Sequence, residues 1–213
     1  MAVESMRASI DLLGTSVGVG MLRESIDSRR GKVDMLDKPI DQAAQNDPDW
    51  IVWSQPERVA EQVDMLFTET LPRVPADWTK PSGELAGPMP EGLDRYDPDL
   101  KSGWLVDVFD YFFPDDDSLY EPENAEVLDQ FVCYIGEYLV RECDGRWVND
   151  PEARIFGNFG PTIRYSWDEE IDYPLNLLFE AVEASDFMRV SMRLRLRRVR
   201  YVDEHELHTK STN

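Results

Sequence analysis

Histidine and cysteine are almost absent from this sequence. Only two of the 213 residues are histidine, His205 and His208, and only two are cysteine. Two imidazoles alone make a poor zinc site, and Ser–His or Cys–His catalysis needs a histidine held in a rigid site. The sequence therefore argues against a zinc site and against most nucleophilic enzymes, and we expect no cofactor.

Long apolar runs are missing as well. No run approaches the roughly 18 to 20 residues that span a bilayer, and the first ten residues lack the charged-then-apolar order of a signal peptide. Cys133 and Cys143 lie on one predicted helix, where their spacing corresponds to about 15 Å. A disulfide needs Cα atoms within about 7 Å. We therefore expect free thiols, no membrane association and a cytoplasmic location.

Basic residues are few relative to acidic ones. The chain has 22 Lys and Arg against 43 Asp and Glu, for a formal net charge of −21. Such a surface repels the phosphates of nucleic acids and anionic membranes, so we expect no direct contact with nucleic acid. The excess of acid suits a basic protein partner or a cation, or it serves solubility alone.

The first part of the chain has the spacing of helices. A hydrophobic content of 42 % excludes a disordered chain. Apolar residues recur every three or four positions near the N-terminus, and Ser54 to Glu57 has the spacing of a capping box before a second helix that ends ahead of Pro72. Residues 1–70 are thus a predicted N-terminal helical part. Five prolines then predict a connector over 71–94.

Helical and strand patterns mix in the predicted body, residues 95–203. Helices are expected to begin at Asp97–Pro98, at Pro122 and at Asp172–Pro174, and Gly145 is expected to close the second of these in a left-handed cap. Short β-rich segments lie at 146–148, 154–156 and 162–167. The fold class is therefore α+β, with helices packed on a small antiparallel sheet. Residues 187–201 fit a helix or a strand, and we favour the helix; residues 204–213 are a predicted flexible tail.

One stretch of sequence is distinctive. Gly136-Glu137-Tyr138-Leu139-Val140-Arg141 precedes Gly145-Arg146-Trp147-Val148. Over about residues 123–184 the chain resembles a bacterial domain of unknown function that reads G-E-x-L-x-R, then G-G-R-W, then a hairpin and a helix. It departs from that pattern at Asp144, where glycine is usual. The resemblance implies the helix–hairpin–helix architecture and brings no catalytic residues.

Two acidic clusters are candidate partner-binding surfaces. One is Asp115, Asp116 and Asp117; the other is Asp168, Glu169 and Glu170. The first is not an EF-hand loop, because Leu119 replaces a ligand and Tyr120 stands where the turn needs glycine. We expect both clusters to contact a basic protein.

A basic segment opposes the overall charge. Its candidate anion-contact residues are Arg193, Arg195, Arg197 and Arg198. Two interpretations are open: the segment contacts an external anion, or its arginines pair internally with the acidic body.

These features favour a non-catalytic binding protein, such as an adaptor, a chaperone-like factor or an immunity-type inhibitor, for a basic partner. A divalent-metal-dependent hydrolase built on carboxylates is the first alternative. A structural, self-assembling protein whose N-terminal helix is the association element is the second. The oligomeric state is left open by the sequence.

Overall fold

A computed structural model describes residues 40–92, 94–96, 103–153 and 159–211, with side chains as far as 206. The elements within these ranges, in chain order, are α1 (Gln42–Gln45), α2 (Pro48–Trp53), α3 (Pro56–Met65), α4 (Trp104–Phe112), α5 (Ala125–Cys143), β1 (Gly145–Asn149), β2 (Pro161–Tyr165), α6 (Pro174–Glu183) and α7 (Met188–Ser211). Strands β1 and β2 pair antiparallel, with Trp147 opposite Ile163. The α+β prediction is confirmed. The predicted N-terminal helix and the predicted strand at 154–156 lie outside the described residues.

Helix α5 is the centre of the fold. Its buried residues point in every direction around the helix axis, from Leu128 and Phe131 to Tyr138 and Leu139. A helix that is apolar on all sides belongs in the interior. Helices α3, α6 and α7 and both strands contact it. The core that results runs from Trp50 to Leu194, so α2 and α3 share one core with the body.

The turn from α5 into β1 differs from the prediction. Asp144, not Gly145, takes the left-handed conformation, with φ of 53°. It is the position where the resembled pattern has glycine, and an aspartate tolerates this conformation better than most residues. Gly145 is needed for another reason: a Cβ there would lie 2.6 Å from Cγ2 of Ile163 and 2.9 Å from the Leu139 carbonyl oxygen.

Two predicted helix starts also need correction. Ser54 does not cap α3, because it closes α2, where its N–H donates to the Trp50 carbonyl, and the position before α3 is held by Gln55. Gln55 precedes α3 without a side-chain cap, and Pro56 is its first residue. The predicted start at Asp97–Pro98 lies outside the described residues, and α4 begins at Trp104.

The predicted connector contains local structure. The chain passes from α3 through a π-helical turn (Leu66–Thr70) and a 3₁₀ turn (Leu71–Arg73). Beyond these turns Thr79 forms a bridge with Leu85. The Trp78 ring packs edge-on against Tyr111 of α4, with centroids 6.0 Å apart. An aromatic contact thus anchors this segment to the body.

The ambiguous segment at the end of the chain is helical. Helix α7 covers Met188–Ser211 and continues into the predicted tail. Its inner face buries Val190, Leu194 and Arg197. The favoured helical interpretation of 187–201 is therefore confirmed. Within the described residues, no helix is long and apolar enough to cross a membrane.

Candidate functional site

Arg197 of α7 lies at the buried centre of an ion cluster. Its side chain is 1 % exposed. The guanidinium donates from Nε to Asp172 Oδ2 at 2.7 Å, from Nη1 to Asp168 Oδ2 at 2.5 Å and from Nη2 to Glu170 Oε2 at 2.9 Å. Charge-assisted bonds of this kind are roughly twice as strong as neutral ones. One arginine therefore binds α7 to the segment between β2 and α6.

Two further arginines complete the cluster. Arg193 Nε lies 2.8 Å from Asp172 Oδ1, and Arg200 Nη2 lies 2.9 Å from Asp168 Oδ2. Both also reach Glu170. Three carboxylates thus face three guanidinium groups, and the cluster is electrically balanced. Burial would raise the pKa of Glu170, but Arg200, Arg197 and Arg193 outweigh it and lower the pKa below its ordinary value.

Aromatic rings form the inner wall of this cluster. The Tyr165 hydroxyl donates to Asp172 Oδ2 at 2.7 Å. The Arg197 guanidinium carbon lies 4.7 Å from the Tyr165 ring centroid and 6.0 Å from that of Trp167. Burial, followed by the neighbouring Asp172, raises the pKa of Tyr165 above its ordinary value, so the hydroxyl keeps its proton. The inner part of the cluster, around Arg197 and Asp172, is buried, whereas Glu170 and Arg200 lie at its exposed edge.

The structure brings together two predicted sets that the sequence analysis kept apart. Asp168 and Glu170, from the predicted partner-binding set, pair with Arg193 and Arg197, from the predicted anion-contact set. The internal interpretation of the basic segment therefore holds for these arginines. Asp172 was not among the predicted site residues, because its position shortly before Pro174 predicts the start of α6.

The remaining members of the two predicted sets differ in exposure. Arg198 Nε lies 3.4 Å from Glu142 Oε2 and is 38 % exposed. Glu169 and Arg195 are exposed on the surface. Glu170 is exposed as well but pairs with Arg193 and Arg197, so Glu169 is the exposed carboxylate of the second acidic cluster that lies outside the ion cluster.

The first acidic cluster lies on a firmly anchored loop. Asp115 accepts a hydrogen bond from the Ser118 N–H at 3.0 Å and begins a 3₁₀ turn (Asp116–Tyr120). Ser118 is buried, and the Tyr120 ring packs against Phe179 of α6 at 5.5 Å. Asp116 and Asp117 are exposed. The loop thus presents carboxylates to solvent from a fixed base.

A second buried polar cluster surrounds Cys133. Asp129 of α5 is fully buried, accepts a hydrogen bond from Trp53 Nε1 at 2.8 Å and pairs with Arg58. Arg58 Nη1 also lies 3.4 Å from Cys133 Sγ. Burial, reinforced by Asp129, raises the pKa of Cys133 well above its ordinary value despite this arginine. The group is a thiol at neutral pH and packs in the core, so it offers no nucleophile.

The outer face of α7 has several exposed apolar side chains among its arginines. Its exposed large apolar residues are Met188, Met192, Leu196, Val199 and Val202. Beside Met192 and Leu196, a groove of about 480 Å³ separates α7 from α6. Charged groups such as Glu180 and Arg189 line the groove. The three- and four-residue spacing of these apolar residues is present in the sequence, but the alternation of arginine and leucine in the same segment fits a strand equally well.

The described side chains form no group of three His, Cys, Asp or Glu placed to hold a metal ion. Neither a protein-family model, nor a curated protein, nor a solved structure matches this chain significantly. The resemblance over residues 123–184 therefore stays a prediction.

Proposed function

We propose that this protein is a non-catalytic binding module, of the adaptor, chaperone-like or immunity type, that engages a basic protein. The side chains that could take part in catalysis support this proposal, because they are buried or held in ion pairs. Cys133 is a buried thiol, and Asp129 and Asp172 are buried in ion pairs. The proposal includes a cytoplasmic location, supported by the two free cysteines.

One observation carries the proposal: seven basic side chains of the described residues form salt bridges within the chain, while carboxylates such as Asp116, Asp117 and Glu169 are exposed. The residues Arg58, Lys80, Arg95, Arg193, Arg197, Arg198 and Arg200 all form salt bridges within the chain. The chain as a whole has a formal net charge of −21. A field of this sign accelerates encounter with a basic partner and disfavours acidic ones.

The loop of Asp115 to Asp117 is the proposed contact surface. Its base is fixed by the buried Ser118 and by the packing of Tyr120, so binding does not have to order it. A surface that is ordered before binding loses less entropy on association. Glu169, which is exposed and lies outside the ion cluster, is included as a secondary contact.

The test neutralises the loop without disturbing its fold. Asp116→Asn combined with Asp117→Asn removes two charges and keeps Asp115, which caps the turn. A matched control, Glu57→Gln with Glu61→Gln, removes two exposed carboxylates from α3. The full chain is used to capture partners from its native lysate at low and moderate salt. The affinity of each variant for the recovered protein is then measured.

We expect a basic protein that the unaltered chain holds at low salt and releases at higher salt. The loop variant should bind it about tenfold more weakly and with a smaller salt dependence, while the α3 control should bind nearly normally. Equal binding by the two variants would reject the loop as the contact surface. Recovery of no basic protein at either salt would reject the proposed function.

A further inference from the structure

The groove between α6 and α7 opens beside a strip of exposed apolar side chains on α7. This apolar strip consists of Met188, Met192, Leu196, Val199 and Val202, which are between 42 % and 57 % exposed. Two of them, Met192 and Leu196, also line the groove. At a rise of about 1.5 Å per residue the strip is roughly 21 Å long. The described residues leave it in contact with solvent, so it is a surface on which another helix can pack.

The sequence that precedes the described residues contains an apolar segment of similar length. Its apolar residues recur every three or four positions, which is the spacing of one helix face: Val3, Met6, Ile10, Leu13, Val17 and Met21. A helix over residues 3–21 would be about 27 Å long. Between residues 8 and 22 the only charged residue is Asp11. A segment this apolar is unfavourable in water and needs an apolar surface to cover it.

The described chain begins close to one end of the groove. Asn149 holds α1 through two hydrogen bonds: its Nδ2 donates to the Ala44 carbonyl oxygen at 2.8 Å, and its N–H donates to Gln45 Oε1 at 2.9 Å. The next residue, Asp150, accepts a hydrogen bond from the Tyr173 hydroxyl at 3.2 Å. Tyr173 also lines the groove. The residues before α1 therefore enter the fold beside the groove.

We propose that residues 3–21 bind as a helix in the groove between α6 and α7, against the apolar strip of the same chain. The connecting residues 22–39 span up to about 60 Å when extended, so the segment reaches the groove from the start of α1. Tethering gives the segment an effective concentration on the order of 1 mM. A contact with a dissociation constant of about 0.1 mM is then occupied about nine-tenths of the time.

The distribution of charge favours this occupant. Residues 1–39 contain six Lys and Arg and six Asp and Glu, so the net charge of −21 lies in the rest of the chain. The lining of the groove is balanced as well, with Arg189 and Arg193 beside Asp172 and Glu180. A segment without net charge is not repelled by this surface, whereas a second copy brings a further −21 and is repelled. The groove is also separate from the acidic loop proposed to contact a basic protein.

The first experiment measures hydrogen–deuterium exchange of residues 8–22 in the full chain by mass spectrometry. Met192→Glu combined with Leu196→Glu places two charges in the groove at positions that are each 57 % exposed, so the fold is not disturbed. Ile51→Glu combined with Val52→Glu is the matched control, because these apolar residues of α2 are 48 % and 42 % exposed and lie outside the groove. Circular dichroism establishes that each variant is folded.

We expect the amides of residues 8–22 to exchange about tenfold more slowly in the unaltered chain than in the groove variant, because charged groups in the groove release the segment. The α2 control should exchange like the unaltered chain. The protection should be the same at every protein concentration, since the contact lies within one chain.

The second experiment follows the groove instead of the segment. Oxidation of Met192 by hydrogen peroxide, located by mass spectrometry, reports how accessible its sulfur is. Ile10→Asp combined with Leu13→Asp should weaken docking and accelerate this oxidation about tenfold relative to the unaltered chain. Met65 of α3 is partly exposed and is the internal reference, whose rate of oxidation should not change.

Four outcomes would overturn the proposal. One is exchange of residues 8–22 in the unaltered chain as fast as in the groove variant, with both unprotected. Another is protection that the groove variant leaves intact, which would mean that the segment binds elsewhere. The third is protection that increases with protein concentration, which would mean that the segment binds a second copy. The fourth is oxidation of Met192 that the segment variant does not accelerate, which includes the case in which a different protein covers the groove.

Discussion

Gly136 lies on α5 where the indole of Trp147 presses against the helix. A Cβ at residue 136 would stand 1.9 Å from Cη2 and 2.1 Å from Cζ2 of that ring. The ring has little room to retreat, because the buried Trp53 packs edge-on against it with centroids 5.1 Å apart. Gly136→Ala therefore forces two elements apart rather than filling a void.

Two opposing effects set the magnitude. Alanine improves helix propensity by about 1 kcal/mol over glycine. Overpacking of a filled core costs about 1–3 kcal/mol and occasionally more, and contacts this short place Gly136→Ala at the upper end. We expect a net loss of about 2 kcal/mol in the free energy of unfolding. Urea titration followed by circular dichroism measures this loss from the midpoint, provided that the slope is unchanged.

A second background isolates the cause. Trp147→Leu makes room beside residue 136, and it breaks no hydrogen bond because Trp147 Nε1 has no partner in the described structure. In that background Gly136→Ala should be neutral or stabilise the protein by up to about 1 kcal/mol. The two substitutions should therefore couple by about 2–3 kcal/mol. The steric reasoning fails if alanine costs the same in both backgrounds.

Two more predictions concern the ion cluster. Arg197→Met leaves the surrounding carboxylates without their central cation and should lower the free energy of unfolding by about 3–5 kcal/mol. Arg198→Met removes a partly exposed pair and should lower it by less than about 1 kcal/mol. Similar losses for both variants in urea titrations would contradict the central role of Arg197. Glu170 has a folded-state pKa below its ordinary 4.5, so it stabilises the fold above that pH and stops doing so as the pH falls through the lowered value. The stability difference between the unaltered chain and Glu170→Gln should be largest near neutral pH and shrink below 4.5; a difference that grows with acid would refute this assignment.

Local signals in the sequence were sufficient for α5 and for the cysteines. The spacing from Val127 to Leu139 predicts α5, and the position of Cys133 and Cys143 on it predicts two free thiols, both of which the structure confirms. The start of α2 had an equally local signal that the sequence analysis missed. Asp47 caps this helix and Pro48 is its first residue. The same Asp-Pro sequence was the basis for the helix start predicted at Asp97–Pro98.

Long-range pairing decided what local pattern could not. The Asp172 carboxylate is a plausible helix cap by sequence, yet it binds Arg197, 25 residues later, and leaves α6 without a side-chain cap. The alternation of arginine and leucine in α7 fits a strand. The segment is nevertheless helical, because every third or fourth residue then faces α5 or the ion cluster. The sequence does not show which acidic residues the arginines of α7 pair with, because the two segments are far apart along the chain and nothing in either one identifies the other.

The ion cluster also constrains the order of biosynthesis. Asp168, Glu170 and Asp172 leave the ribosome before the arginines that neutralise them, and Arg197 follows Asp172 by 25 residues. A nascent chain that ends before α7 holds carboxylates at positions where burial is unfavourable without a cation. The body can therefore complete its core only after α7 has been synthesised. Until then the unfinished chain exposes apolar surface on α5 and is a substrate for chaperones and proteases.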